Sequence, residues 1–207
     1  MTRPAGRPRT FDRHQALCQA MDLFWQYGYE ATTLAMLKAK MGGISSPSFY
    51  AAFGSKEALF VEVFKIYMDS HGKVGAQLYD DTIPPLQAIE NVLRQSAQMQ
   101  TQTDNPKGCF VVLATATCAP EHQHLQTLLA QQRAKTGAGF ARCFERAIAL
   151  KQLPADSNVT TLATLYNGFL LGISSMAQDG TSLSAIDATI SELMRSLRLN
   201  MPAASAE

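Results

Sequence analysis

Residues 32–53 have the sequence Thr-Thr-Leu-Ala-Met-Leu-Lys-Ala-Lys-Met-Gly-Gly-Ile-Ser-Ser-Pro-Ser-Phe-Tyr-Ala-Ala-Phe, and this is the most informative stretch of the chain. The pattern predicts a short helix, a glycine turn at Gly42-Gly43 and a second short helix. Thr33 is a suitable N-cap for the first helix, and Ser45 or Ser46 for the second. Proteins commonly use a helix–glycine turn–helix of this size to place one helix in the DNA major groove.

The flanking residues extend this unit to four predicted helices. The first begins near Asp12 and stops at Gly28, where glycine ends an otherwise helical pattern. Gly54 ends the third helix and Ser55 caps the fourth. The first helix carries apolar residues at helical spacing, which are Leu17, Ala20, Met21, Phe24 and Trp25.

The rest of the chain also has the apolar period of helices. After a connector at 80–85, helical segments are predicted at about 86–103, 107–118, 121–151, 156–179 and 182–199. No strand alternation and no internal repeat is visible. The sequence therefore predicts an all-α protein of about nine helices.

Charge is distributed unevenly along the chain. Through residue 56 there are seven Lys and Arg against three Asp and Glu, a net charge of +4; the remainder has eleven against fourteen, or −3, giving the overall +1. A basic N-terminal quarter on a mildly acidic body is typical of a DNA-binding head whose body stays off DNA.

Cysteine usage and hydropathy indicate a cytoplasmic protein. The four cysteines (Cys18, Cys109, Cys118 and Cys143) form no C-x-x-C pair, so no disulfide is expected. No signal peptide is visible, and the longest apolar run, near 110–116, is too short to span a membrane.

Residues 6–67 resemble the DNA-binding domain of the TetR/AcrR transcriptional regulators. One feature departs from the family pattern, since Gly42-Gly43 stands where the family usually has a single glycine. The motifs that carry the resemblance are Phe24-Trp25 before Gly28-Tyr29, Ala31-Thr32-Thr33, Gly43-Ile44-Ser45, Ser48-Phe49-Tyr50 and Phe53-Gly54-Ser55-Lys56-Glu57-Ala58-Leu59-Phe60.

The resemblance implies a ligand-responsive repressor that binds a palindromic operator as a homodimer. A small molecule, which we expect to be apolar or aromatic, would bind in the C-terminal domain and release the DNA. The expected divisions are a flexible basic arm at 1–9, a DNA-binding domain at 10–55 with its helix–turn–helix at 33–53, a linking helix at 56–79, a ligand-binding and dimerisation domain at 80–200 and a disordered tail at 201–207.

Candidate DNA contacts come from the recognition helix, its flanks and the N-terminal arm. The resemblance implies that Tyr50 and Lys56 contact the DNA backbone. The helix has no Arg, Asn or Gln, so bidentate base readout from it is not expected. Arginines on a Pro/Gly-rich arm suit a narrow minor groove. The candidates are Thr33, Lys38, Ser45, Ser46, Pro47, Ser48, Tyr50, Lys56, Arg3, Arg7 and Arg9.

Two further groups of residues are predicted in the body. The candidate pocket lining is apolar and aromatic, consisting of Met99, Cys109, Phe110, Leu113, Phe140, Phe144, Tyr166 and Phe169. The helix at 156–179 has too many apolar residues for one narrow stripe, which favours a partner on its second face. The candidate dimer interface is Leu162, Tyr166, Phe169, Ile173, Ile190, Leu193 and Leu197.

Four other interpretations concern the body and the turn. Cys109 lies beside Lys107 at a predicted helix N-terminus, and the helix N-terminus and the lysine would both lower the pKa of its thiol. A cysteine after a glycine here also resembles an electrophile- or oxidant-sensing subset of the family. His122 and His124 lie two apart on a helix and point in different directions, so no metal and no cofactor is predicted. No catalytic motif suggests an enzyme. A helical interaction module without DNA binding stays open because of the second glycine.

Overall fold

The computed structural model describes residues 12–199, which form nine α-helices and two 3-10 segments with no strand among them. The predicted all-α class is confirmed. The helices are α1 (Arg13–Ala31), α2 (Leu34–Lys40), α3 (Ser46–Phe53), α4 (Lys56–Asp69), α5 (Pro85–Thr101), α6 (Phe110–Leu113), α7 (Gln123–Ala149), α8 (Val159–Gln178) and α9 (Leu183–Leu199); the 3-10 segments are His71–Tyr79 and Pro120–His122.

Side-chain caps fix the start of each N-terminal helix. Asp12, Thr33, Ser45 and Ser55 each accept a hydrogen bond from the backbone N–H three residues later, at 2.9–3.2 Å. Each bond satisfies one of the donors that a helix start leaves free. The predicted starts of these four helices are confirmed.

The predicted linking helix over 56–79 is wrong in its second half. α4 ends at Asp69, and His71–Tyr79 continues as a 3-10 segment. The Ser70 hydroxyl closes the last turn by donating to the Ile66 carbonyl at 2.7 Å. Two glycines in the nine residues that follow weaken α-helical propensity, which lets the chain take the tighter path.

The predicted helix over 107–118 is also wrong, because only Phe110–Leu113 is helical. The carbonyls that flank it bond to α1 instead of continuing a helix. Gly108 O accepts from the Trp25 indole N–H at 3.0 Å, and Ala114 O accepts from the Tyr29 N–H at 2.7 Å. Local periodicity carries no sign of these two long-range bonds.

Two apolar cores organise the molecule. The first joins α1–α4 to α6 and the start of α7, and the second joins α5, α7, α8 and α9. Within the first core, Phe110 of α6 packs on α4. Its ring centroid lies 5.4 Å from that of Phe60 and 5.1 Å from that of Tyr67. The N-terminal helices therefore share a core with the segment that precedes α7.

Gly28 shapes the end of α1. Its φ of 77° and ψ of 170° interrupt the helix, and the next residue, Tyr29, then donates its N–H to Ala114. Side-chain-bearing residues rarely adopt this conformation. Glycine at this position is therefore what allows α1 to turn toward the 108–119 segment.

We predict that Gly28→Ala lowers the free energy of unfolding by about 1–3 kcal/mol, because alanine would be strained at this φ. The cost is conformational, since an added Cβ would meet its nearest neighbour, Ala114 O, at an ordinary 3.5 Å. Urea denaturation followed by circular dichroism measures it. Gly75→Ala is the matched control, because Gly75 lacks a positive φ and its Cβ would lie 3.8 Å from Thr136. Equal stabilities of the two variants would contradict the prediction.

Candidate DNA interface and ligand cavity

The third helix separates an exposed polar face from a buried aromatic face. Pro47, Ser48 and Tyr50 are exposed, and the Tyr50 side chain is 51% accessible. Phe49 and Phe53 are buried in the first core. The helix is thus held by its aromatic face while the residues predicted to meet DNA face outward.

The turn before α3 accommodates the second glycine. Gly42 and Gly43 have φ values of 82° and 77°, and an added Cβ on either would meet nothing within 4 Å. Gly43 N–H bonds to Lys38 O at 2.9 Å, and Ile44 packs on the core beyond the turn. Two positive φ values in sequence are easy for glycine alone, so the extra residue closes the turn.

The predicted contacts around the turn already have intramolecular partners. Thr33 and Ser45 serve as exposed N-caps, and Lys38 Nζ donates to the Ser46 hydroxyl at 2.8 Å. This last bond ties α2 to the first residue of α3. Arg3, Arg7 and Arg9, together with the predicted arm and tail, lie outside the described residues.

Lys56, the first residue of α4, is packed against α1. Its Nζ lies 4.2 Å from the ring centroid of Tyr29, a cation–π geometry. The pKa of Lys56 is lowered overall, because the effect of burial exceeds the opposing effect of the nearby Glu30 carboxylate. The amine is held at the start of a helix, where free N–H groups also favour an anion.

A polar seam fastens the end of α1 to the segment before α7. Glu30 Oε1 accepts from the Ala119 N–H and pairs with His122 Nδ1, both at 2.8 Å. The Ala119 hydrogen bond is the main cause that lowers the pKa of Glu30, with His122 adding to it. A second pair, His124 with Glu57 at 2.9 Å, joins α7 to α4. The seam therefore links both α1 and α4 to the body.

We predict that Glu30→Gln destabilises the protein at pH 7 by roughly 0.5–1 kcal/mol, a value reduced for solvent exposure. Because the folded-state pKa of Glu30 is lowered from 4.5, the carboxylate stabilises the fold above that pH. The difference from the unmodified protein should disappear as pH falls through the lowered pKa. Thermal unfolding from pH 7 to about pH 2 tests this, because the range must pass below the lowered pKa, and the exposed neighbour Glu121→Gln is the control. A pH-independent difference would contradict it.

A cavity of about 70 Å³ lies between α4, the His71–Tyr79 segment, α5, α7 and α8. Its wall is mainly apolar. Of the eight predicted pocket residues, Met99 and Cys109 line it. The other six do not: Phe110, Phe140, Phe144 and Tyr166 are buried in the two cores, and Leu113 and Phe169 lie away from the cavity.

Cys109 does not have the environment that its sequence context predicts. Burial raises the pKa of its thiol, so the expected lowering is wrong. Lys107 Nζ turns away and donates to the Thr101 carbonyl. The helix that follows is only four residues long. The Cys109 Sγ instead lies 3.3 Å from the Tyr67 hydroxyl at the cavity wall.

The predicted dimer interface needs correction as well. Tyr166, Ile173, Ile190 and Leu197 are buried within the subunit, where they cannot contact a second copy. Leu162, Phe169 and Leu193 are half-buried against the same core. α8 instead exposes Leu165, at 52% accessibility, beside two glycines with open space around them, Gly168 and Gly172.

Residues 12–199 contain neither a cluster of metal ligands nor a membrane-spanning helix. No group of three His, Cys, Asp or Glu side chains there could hold a metal ion; His122 and His124 pair with different carboxylates. No helix in that range combines the length and the apolar character that crossing a bilayer requires.

Comparison with known proteins agrees with this architecture. Residues 17–63 match the model of bacterial regulatory proteins of the tetR family, and residues 85–193 match the tetracyclin repressor-like C-terminal domain. The transcriptional repressor ComR of Escherichia coli is 35% identical over 182 residues, covering 87% of this chain and 86% of ComR. A cysteine mutant of the regulator CifR, solved with operator DNA, is 38% identical with a TM-score of 0.82, over 92% of this chain and 99% of CifR.

The chain belongs to the TetR family and is a DNA-binding transcriptional regulator. Homodimerisation, binding of double-stranded DNA and response to a small molecule are properties of this family, and at that level the predicted partners are confirmed.

Proposed function

We propose that this protein represses transcription by binding a palindromic operator as a homodimer, and that a small molecule in the α4–α8 cavity releases it. The observation that carries the proposal is the exposed face of α3, held by buried Phe49 and Phe53 behind an ordered glycine turn. ComR is a repressor, and CifR was solved on a 26-bp operator. The proposal places the protein with the DNA, in the cytoplasm, and assigns it no catalysis.

Docking of α3 in the major groove would bring its polar neighbours to the DNA backbone. Tyr50 offers a hydroxyl on a rigid and exposed ring, and Thr33 offers one at the start of α2. The Ser45 and Ser48 hydroxyls lie 2.9 Å apart and form one polar edge at the start of α3. Lys56 would supply positive charge at the start of α4.

The outward faces of α8 and α9 are the surface proposed for the homodimer. An exposed Leu165 lies beside Gly168 and Gly172, and Ala185 and Thr189 are exposed on α9. Small side chains let helices of a second copy approach closely, while leucine supplies apolar area. A two-fold axis through this surface would present two α3 helices to one duplex.

The path from cavity to DNA would run through α4. Tyr67, near the C-terminal end of α4, contacts Cys109 at the cavity wall. The N-terminal end of α4 follows directly after α3. A ligand that moves the Tyr67 end would tilt α4 and change the separation of the two α3 helices. It releases DNA only if it binds the tilted state more tightly than the DNA-bound state.

Selection of bound duplexes from random-sequence DNA tests the proposal. We expect a palindrome whose half-sites lie about one helical turn apart, or a multiple of it. Affinity for this sequence should fall steeply with salt, because Lys and Arg displace phosphate counterions. A folded dimer that enriches no sequence would refute the proposal and favour a helical module without DNA binding.

Tyr50→Ala should weaken binding to the selected duplex by roughly 5–30-fold, on the order of 1–2 kcal/mol for a backbone contact that also positions α3. Tyr27→Ala is the matched control, since Tyr27 is also exposed, at 47%, but lies on α1. Fluorescence anisotropy at near-physiological salt measures affinity, and circular dichroism checks helix content. Equal losses in the two variants would count against a contact role for Tyr50.

A second candidate function is thiol-based sensing through Cys109. The observation that favours it is that Cys109 lines the cavity, so a ligand inside would meet its sulfur. The Cys109 thiol would add across the double bond of an activated alkene. The sulfur would form an S–C bond with one alkene carbon, and the thiol proton would go to the other. Because burial raises the Cys109 pKa, little thiolate is present at pH 7 and the addition would be slow.

Treatment with N-ethylmaleimide should release DNA from the unmodified protein but not from Cys109→Ser. The reason is that the adduct would fill the cavity beside Tyr67. Cys118→Ser is the matched control, because Cys118 is also half-buried but lies outside the cavity. Mass spectrometry locates the adduct and anisotropy reports release. Release that persists without the Cys109 thiol would end the sensing hypothesis.

A further inference from the structure

A groove with a volume of about 720 Å³ opens to the surface directly beside the cavity, between α4, the His71–Tyr79 segment and α7. The two spaces are adjacent, since five residues line both of them. These shared residues are Met68, Gly72, Gly75, Gln132 and Thr136. The groove is therefore the natural vestibule of the cavity, and we use that name for it.

Two glycines lie in the wall between vestibule and cavity, and the flexible Met68 side chain covers one of them, since a Cβ added to Gly72 would lie 2.7 Å from the Met68 Cε and Sδ atoms. A 3-10 segment has three residues per turn, so Gly72 and Gly75 lie one above the other on one face. The same period places Lys73, Ala76 and Tyr79 together, and all three line the vestibule but not the cavity. The segment thus presents a glycine face to the shared wall and a face with a cation to the vestibule, and a ligand that spans both spaces must move the Met68 side chain.

The vestibule is positively charged. Three exposed lysines line it, Lys65, Lys73 and Lys135, against one acidic residue, Asp69. None of these lysines belongs to an ion pair within residues 12–199. The three lysines come from α4, the 3-10 segment and α7, and Lys135 Nζ lies 5.9 Å from the ring centroid of Tyr79, which also lines the vestibule. An excess of positive charge in one groove attracts an anion.

The cavity has the opposite character. Val92, Met99 and Leu170 contribute to its apolar wall. Arg133, one of its two basic side chains, is already engaged, because Nη1 donates to the Val111 carbonyl at 2.6 Å. The other, His71, is stacked on the Tyr67 ring, and burial lowers its pKa.

We propose that the effector is an amphipathic carboxylate, with its apolar end in the cavity and its carboxylate beside Lys65, Lys73 and Lys135. This inference rests on the proposed function and narrows its ligand to a chemical class. A cavity of about 70 Å³ is small and favours a short alkyl chain over a long acyl group. The lysines would hold the carboxylate without burying it, which avoids the cost of desolvating a charge.

Calorimetric titration of the full-length protein tests the proposal with matched pairs of probes. Hexanoate, octanoate and 3-phenylpropionate are each compared with the alcohol of the same skeleton. Each carboxylate should bind at least several-fold more tightly than its alcohol at low salt. Added KCl should remove most of this preference because it screens exposed charges, and it should leave alcohol binding unchanged.

Charge neutralisation tests the assigned residues. Lys65→Gln/Lys73→Gln/Lys135→Gln should weaken carboxylate binding by roughly 5–30-fold, from exposed ion pairs that each contribute a few-fold. Its affinity for the alcohols should not change. Lys151→Gln is the control, since Lys151 is exposed but lies outside the vestibule. Gly75→Leu, checked for intact helix content, should block the passage and weaken both members of each pair.

The outcomes separate this inference from the proposed function. Equal affinity for carboxylates and alcohols, carboxylate binding that survives the triple substitution, or no carboxylate binding at all would each overturn the anionic class. The proposed function survives those results if any neutral compound releases the selected duplex. If no duplex is selected while carboxylates bind as described, the ligand site stands and the operator-binding proposal fails.

Discussion

The hydrogen bond from the Tyr29 backbone N–H to the Ala114 carbonyl, 2.7 Å long, ties the end of α1 to the 108–119 segment and so constrains how the N-terminal helices lie against the body. It forms beside the buried bond from the Trp25 indole to Gly108 O, at 3.0 Å. Leaving a buried polar group without its partner costs about 1–3 kcal/mol. The end of α1 and the segment around α6 are therefore constrained to move together.

Two sides of the short 108–119 segment make different contacts. Through Phe110 and its flanking carbonyls, the segment packs on α1 and α4. Through Cys109 and Val111, it lines the cavity. A ligand in the cavity would therefore contact the 108–119 segment, whose backbone carbonyls are hydrogen-bonded to α1. No long relay of side chains would be needed to connect the cavity with the DNA-binding helices.

The N-terminal third of the fold could be predicted from sequence because its signals are local. Asp12, Thr33, Ser45 and Ser55 each accept a hydrogen bond from the backbone N–H three residues later, and Gly54 ends α3. The prediction failed for 107–118, where bonds to α1 replace helical bonds, and for 70–79, where the 3-10 geometry is not visible in an apolar period.

Six of the eight predicted pocket residues and four of the seven predicted dimer residues failed for a different reason. An apolar residue on a helix in the body looks the same in sequence whether it faces a core, a cavity or a partner, and Phe140 and Ile190 proved to be core. The vestibule was missed because its lysines come from three elements and are not adjacent in sequence. The spacing of Gly72, Lys73 and Gly75 becomes informative only once that segment is known to be 3-10.

The vestibule and the cavity contribute differently to the free energy of DNA release in the proposed mechanism. Shifting a regulator from almost fully DNA-competent to almost fully released requires a ligand that favours the released state by about 5.5 kcal/mol. The vestibule lysines are exposed, and exposed ion pairs contribute at most about 1 kcal/mol each. Most of the difference in ligand affinity between the released and the DNA-bound state must therefore come from the apolar end of the ligand. That end would displace packed groups such as Tyr67 from the cavity wall. On this argument the vestibule selects which molecules bind, and the cavity determines which of them release DNA.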